Sequence, residues 1–404
     1  MHKLWSERYQ CPVFFHGNDC LLLPTWFSVA ISARHAVSAV QESVDSYTGE
    51  VRKEVVDRLV KKTTVTQILS RLTTFLQWVE EYAADSKTVS LLTHHNLPDK
   101  ILNFYINDVL IGERGKGDSA IAQTIMTLNA YYMYLAQAGL TTAKTLFIKP
   151  SFKDMARTNT KRRTAVKYLT PELRSILYRH TNSIRDELLL KTGGELGCRS
   201  MENLGFVLKD FNVGSKKHSG MLSLFAMMES NPKQMEFEFL LQGRFSKGKR
   251  NSGGESRVLY IHRDLLSRFN KYYDLERPST DEDNMFVSNS STVVGTQISA
   301  SKACRVFKVV RDIVLKKQEK GLLLEDGQKL EIDHTHHVLR HSFGTDKFWE
   351  YSEEQGMRVD DVTPTSLVYL TVAALLGHTA MGNNVPQTTI NYIRTCHIKK
   401  HFEQ

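Results

Sequence analysis

Apolar residues recur at helical spacing through much of the first half of the chain. Ile68, Leu69, Leu72, Phe75, Leu76 and Val79 form one stripe of 3.6-residue period, and Thr64 ahead of them is an N-cap candidate. Ile101, Leu102, Tyr105 and Val109 form a second stripe starting near Pro98. Ile121, Ile125, Leu128, Tyr132 and Leu135 form a third from about Ser119, with Gly139 as its C-terminal stop. Three or four such helices at short spacing predict a small bundle over residues 61–150. The stripes make its core rather than its surface. The first 60 residues are less regular. Val13–Phe14–Phe15 and Leu21–Leu22–Leu23 flank His16–Gly17–Asn18–Asp19, which predicts a hairpin turning at Gly17–Asn18. That segment is either a module of its own or padding for the next domain.

Residues 151–168 change character. Lys153, Arg157, Lys161, Arg162, Arg163 and Lys167 stand among few apolar residues, the composition of a basic linker. A new domain opens at Thr170–Pro171–Glu172, where Thr170 can cap, Pro171 suits the first helical position and Glu172 complements the helix dipole. Glu236 to Phe245 alternates, with Phe237, Phe239 and Leu241 on one side, and Arg257–Val258–Leu259–Tyr260–Ile261 reads as a second strand. Between them lies a basic turn, Ser246 to Gly254. Ser301 to Lys317 reads as a helix with Val306, Val309, Val310 and Ile313 inside and a solvated face of Lys302, Arg305, Lys308 and Lys316. The expected architecture is mainly α with a small antiparallel β-sheet. Its parts are an N-terminal extension at 1–60, a helical domain at 61–150, a basic linker at 151–168 and a second domain at 169–404.

The length of 404 residues fits two or three domains, and an apolar fraction of 41% is enough to give each a core. The net charge of +9 suits a polyanionic partner. Five scattered cysteines (Cys11, Cys20, Cys198, Cys304 and Cys396) make no C-x-x-C pair, which argues for a reducing compartment and against a disulfide framework or zinc cluster. No apolar run is long enough to span a bilayer. Leu21–Ala30 contains Pro24 and follows Asp19, so it makes a poor signal-peptide core. A cytoplasmic protein without membrane contact is expected.

The densest chemistry lies near the C-terminus. In His337–Val338–Leu339–Arg340–His341–Ser342–Phe343–Gly344–Thr345, a histidine and an arginine at i and i+3 share a helical face and can together hold an anionic group. Leu375–Leu376–Gly377–His378 and Thr388–Thr389–Ile390–Asn391–Tyr392 follow. Arg, His, His and Tyr so placed would make a phosphate-handling site with a phenol nucleophile. His334, His336 and His337 cluster in sequence, but no set of carboxylates or cysteines accompanies them, so no metal is expected.

H-x-x-R-H-S-F-G-T, then L-L-G-H, then T-T-x-x-Y, in that order, resembles the catalytic half of a tyrosine recombinase of the phage-integrase type. The resemblance spans roughly residues 60–400. Thr192–Gly193–Gly194–Glu195–Leu196–Gly197–Cys198–Arg199–Ser200–Met201–Glu202–Asn203–Leu204 resembles the family's T-G-x-R-x-x-E-L box, with extra residues before the arginine. One departure is that Met381 to Pro386 lengthen the interval between the L-G-H histidine and the tyrosine.

The resemblance implies a site-specific recombinase that cleaves and rejoins DNA through a covalent 3′-phosphotyrosine. Its helical bundle would be a core DNA-binding domain, and residues 1–60 a candidate arm-type DNA-binding module. By the motif match, Tyr392 is the nucleophile, and Arg199, Arg340 and His378 stabilise the transition state. His337 accepts the proton, Glu202 orients Arg199, and His341 supports the site from behind. A lysine on the hairpin turn is the general acid; Lys247 fits best and Lys249 is the alternative. Lys161, Arg162, Arg163, Lys249 and Arg250 would lie along DNA phosphates. The implied partners are double-stranded DNA with a specific recombination site, three further copies of the chain in a tetramer on DNA, and accessory DNA-bending or directionality proteins. Neither metal nor nucleotide cofactor is implied. A type IB topoisomerase-like nicking-closing enzyme and a catalytically inactive DNA-binding relative are the alternatives.

Overall fold

The computed structural model describes the chain except for residues 45–50, 85–88, 161–166, 247–253, 324–326, 358–362, 364, 379–385, 387–388 and 391–404. The chain divides into two compact units, Met1–Arg162 and Arg163–Gln404. Both are mainly helical, with small antiparallel sheets of two or three strands.

The first unit begins with β1 (His2–Ser6), β2 (Cys11–His16) and β3 (Asp19–Cys20), paired in that order. The β2–β3 turn falls at Gly17–Asn18, and Gly17 has the positive φ such a turn needs. The expected second strand through Leu21–Leu22–Leu23 is not formed. The strand stops at Cys20 and α1 (Leu22–Arg34) follows, with Pro24 in its first turn, where no intrahelical N–H bond is lost. A long hairpin, β4 (Ala36–Val44) and β5 (Val51–Leu59), precedes α2 (Lys62–Ala84). Phe14, Leu21, Phe27, Ile31 and Val37 share one core with the apolar stripe of α2, so the first 60 residues are built into this unit.

After α2 come α3 (Asp99–Phe104), a π-helical stretch (Tyr105–Glu113) and α4 (Asp118–Gln137). The chain beyond α4 is fixed by buried asparagines acting as a side-chain ladder. Asn103 Nδ2 donates to Thr145 O (2.8 Å) and its Oδ1 accepts from Phe147 N–H (3.0 Å). Asn107 Nδ2 donates to Phe147 O (3.1 Å) and its Oδ1 accepts from Lys149 N–H (2.7 Å). The linker expected over 151–168 begins too early, because Pro150–Asn159 is a helix, α5, with proline in its first turn. Phe152 and Ala156 set it into the core of the first unit, while Lys153 and Arg157 face outward.

The second unit opens with α6 (Pro171–Arg179). The Thr170 hydroxyl accepts from Leu173 N–H, and Pro171 takes the first helical position. Then come α7 (Ile184–Glu195), a 3-10 turn (Ser200–Gly205), the short β6 (Phe211–Val213) and β7 (Lys216–His218), and α8 (Met221–Ser230). β8 (Glu236–Leu241) and β9 (Arg257–His262) pair antiparallel, with Phe237, Phe239, Leu241, Leu259 and Ile261 turned into the core. α9 (Arg263–Leu275), α10 (Lys302–Glu319), α11 (His337–Glu354) and α12 (Leu367–Leu375) follow among the described residues.

α7 is central, packed against α9, α10 and α11. Its glycines mark the close approaches. A Cβ on Gly193 would lie 3.2 Å from His336 Nε2, and one on Gly194 would lie 2.1 Å from the Tyr178 hydroxyl. Glycine costs a helix interior about 1 kcal/mol relative to alanine, so these two are explained by packing rather than propensity. α11 is pinned to the start of the unit. Leu169 N–H donates to Ser342 Oγ (2.9 Å), the Tyr168 hydroxyl donates to Asp346 (3.0 Å), and Arg174 forms an ion pair with the same carboxylate (2.5 Å). A satellite core of Phe343, Phe348, Tyr369, Val372 and Leu376 holds α12 on α11.

Candidate active site

Four elements of the second unit converge on one buried carboxylate. Gly197, with φ +63°, turns the chain after α7 so that Arg199 starts the 3-10 turn. A Cβ at Gly197 would come within 2.6 Å of Phe343, so this turn also lets the loop lie against α11. Glu202, fully buried, accepts from Arg199 N–H (2.8 Å) and from the Arg199 guanidinium (2.7 Å). The same carboxylate accepts from Arg257 (2.8 Å), lies 3.6 Å from the Arg340 guanidinium, and meets Ser246 Oγ at 3.4 Å. Burial alone would raise the Glu202 pKa, but Arg257, Arg340 and Arg199 outweigh it and hold the carboxyl below its usual range.

Arg340, on the first turn of α11, is completely buried. Its guanidinium donates to Gly197 O (2.5 Å), to Leu376 O and to His378 Nε2 (3.2 Å). Because His378 accepts at Nε2, its proton sits on Nδ1, which faces Thr389 Oγ1 at 2.9 Å. Thr389 lies three residues before Tyr392. The L-G-H motif is therefore hydrogen-bonded to the segment leading to that tyrosine, across the lengthened interval.

The imidazoles here are kept neutral. His378 is pushed down to about 3, first by burial and then by Arg340, Arg199 and Arg257. His337, whose outer edge is open to solvent, is pushed down to about 4 by desolvation of its inner side, then by Arg340 and Arg199. His341 packs edge-on against His337, ring centroids 5.0 Å apart, and is pushed down to about 3 by burial and then by His337. Buried Cys198, beside Arg199, is pushed up to about 12 by burial, so its thiol is inert at neutral pH.

Of the expected site residues, Arg199, His337, Arg340 and His378 are thus gathered in one place. Arg199, 21% exposed at its side chain, and His337 face outward, whereas Arg340 and Glu202 lie beneath. Lys247 and Tyr392 fall outside the described residues, as do Lys161, Arg162, Arg163, Lys249 and Arg250. Ser246, the residue before Lys247, reaches Glu202. The histidines of the 334–337 run diverge. His334 Nδ1 accepts from Glu331 N–H (2.9 Å) and His336 Nε2 lies 3.3 Å from Leu189 O. No group of three or more metal-ligating side chains occurs among the described residues.

In the sequence, Arg257 stands out only as the first residue of a strand. A signal for it existed: Arg257, Leu259 and Ile261 have the same parity in β9 and all face inward. An arginine on the buried face of a strand requires an acidic partner, and Glu202 is that partner.

No family model and no curated protein matches the chain. Among solved structures, it is similar to XerA recombinase, with 16% identity over 83% of this chain and 93% of that one at a TM-score of 0.33. It is similar to the Tn1549 transposon integrase (residues 82–397) in complex with circular intermediate DNA, with 16% identity over 85% and 94% at a TM-score of 0.45. It is also similar to a lambda integrase (residues 75–356) dimer bound to a COC′ core site, with 12% identity over 83% and 90% at a TM-score of 0.44. These names place them with the recombinases and integrases that the sequence motifs resemble.

Proposed function

We propose that this chain is a site-specific DNA recombinase that cleaves and rejoins DNA through a covalent 3′-phosphotyrosine. The observation that carries this reading is the gathering of Arg199, Arg340, His337 and His378 around Glu202, with His378 hydrogen-bonded to Thr389 three residues before Tyr392. Such a cluster of donors suits a phosphodiester, and the candidate phenol follows Thr389 by three residues in sequence.

In this mechanism the Tyr392 oxygen attacks phosphorus and the phenol proton passes to His337. The bond to the 5′ oxygen breaks, and Lys247 supplies that oxygen with a proton. Neutral His337 has the lone pair this role needs, and the negative phosphate would raise its basicity from its depressed value. Arg199 meets the non-bridging oxygens from the open side. Arg340 joins by exchanging a carbonyl acceptor, Gly197 O or Leu376 O, for a phosphate oxygen. His378 can donate to the same oxygens once Arg340 has turned away and its proton has moved from Nδ1 to Nε2, with Nδ1 then accepting from the Thr389 hydroxyl. The covalent link keeps the phosphodiester's bond energy, so a second 5′-hydroxyl can reverse the step without ATP. Lys161, Arg162, Arg163, Lys249 and Arg250 are proposed phosphate contacts, and the working assembly is a tetramer on two duplexes.

The test is adduct capture on nicked duplexes. Wild-type protein should give a protein–DNA adduct on a denaturing gel and Tyr392→Phe should give none. An adduct that persists in Tyr392→Phe would move the nucleophile elsewhere. Strand exchange between two duplexes, rather than relaxation of one, separates a recombinase from a nicking-closing enzyme.

A further inference from the structure

Arg257 has no step in the chemistry proposed above, yet it touches the machinery on three sides. Only 6% exposed, it donates to Glu202 (2.8 Å), to Gly197 O (3.4 Å) in the loop before Arg199, and to Leu375 O at the end of the helix before His378. The turn after that helix is shaped around it. Gly377 has φ +61°, and a Cβ there would lie 2.9 Å from Arg257 Cδ.

Three guanidiniums around one carboxylate leave two net positive charges. A phosphodiester carries one negative charge and its pentacoordinate transition state two. Without Arg257, Glu202 would be neutralised by Arg199 and Arg340 alone, leaving one net positive charge for the substrate. We infer that Arg257 is a positioning residue that holds Glu202 so that Arg199 and Arg340 keep their charge for the transition state. The inference rests on the recombinase reading. It places the effect on the chemical step rather than on DNA affinity, because the second charge is matched only once the transition state forms.

The test uses the full-length protein and a pool of nicked duplexes of randomised sequence, from which wild type selects those it captures covalently. Single-turnover adduct formation and DNA affinity are then measured on a selected duplex. Arg257→Gln should slow adduct formation about 100-fold with affinity changed less than about threefold. Arg257→Lys, which keeps the charge, should stay within about tenfold of wild type. Arg257→Gln combined with Glu202→Gln restores the net charge and should recover at least about tenfold over Arg257→Gln alone. A purely architectural tie gives the opposite pattern: Arg257→Lys falls as far as Arg257→Gln and the double variant is no faster. That pattern overturns the inference while leaving the recombinase reading intact. If Arg257→Gln does not melt cooperatively, the comparison rests on Arg257→Lys and the double variant: retained adduct formation in both supports the inference, and loss in both overturns it. A wild type that captures nothing overturns the recombinase reading and this inference with it.

Discussion

The two units bury polar groups in different ways. In the first, the buried polar side chains among the described residues are neutral: His94, Asn103, Asn107 and several hydroxyls. Each carries out a local geometric task. His94 Nδ1–H donates to Leu91 O, its Nε2 accepts from the Tyr131 hydroxyl, both at 2.6 Å, and the asparagines hold residues 145–149. The second unit buries Arg174, Arg185, Glu202, Arg257 and Arg340. Arg174 and Arg185 each have an aspartate, but Glu202 is outnumbered by three guanidiniums. Folding does not require an unbalanced buried charge, because a well-packed apolar replacement is often as stable. The imbalance therefore points to a ligand of opposite sign, and the first unit shows what burial for architecture alone looks like.

The contrast can be broken most directly at Arg340. Arg340→Gln should lower single-turnover adduct formation about 1000-fold while the protein still melts cooperatively. An effect below about tenfold would make Arg340 an architectural residue like those of the first unit.

Asn107→Ala tests the other side. It strands Lys149 N–H and Phe147 O and should cost about 3 kcal/mol in urea unfolding, with adduct chemistry unchanged at saturating DNA.

Acid should weaken both units, the second more, because His337, His341 and His378 are pushed down there as well as His336. His94 and His336 are each pushed down to about 4, mainly by burial. Between their unfolded value of about 6.5 and that folded value, the unfolded chain binds the extra proton. Stability is therefore full above about pH 6.5, falls as pH falls, and stops falling from this source below about 4. For fully buried His336 the loss approaches about 3 kcal/mol. Stability that stays flat from pH 7 to 4 would contradict the neutral burial of these rings.

The smallest effect concerns thiols. Exposed Cys20 and Cys304 should be alkylated by iodoacetamide at pH 8, whereas Cys198 should stay unlabelled until the protein unfolds, as read by mass spectrometry.

Which features were legible in the sequence follows from what local pattern can encode. The stripe of α4 places that helix to within two residues, and its start at Asp118 has no side-chain cap to mark it. α2 starts at Lys62, ahead of the cap expected at Thr64. The alternation of β8 fixed its inward face, since Phe237, Phe239 and Leu241 are all buried. α1 was hidden because Leu21–Leu22–Leu23 is too short an apolar run to distinguish strand from helix. α5 was hidden because only Phe152 and Ala156 tie it to the core, and charge dominates the rest. At the site, motif wording pointed to Arg199, Arg340 and His378. Arg257 belongs to no such phrase, and its role follows from a tertiary contact with Glu202, 55 residues away in sequence.

The bond between His378 and Thr389 bears on how this chain can change over generations. The residues between those positions form a segment fastened at both ends. Closing such a segment costs only about 0.6 kcal/mol more for each doubling of its length. Insertions there are thermodynamically inexpensive and need not shift Thr389 itself. Sequence length can therefore drift at this point while the spatial relation between His378 and Thr389 is held constant.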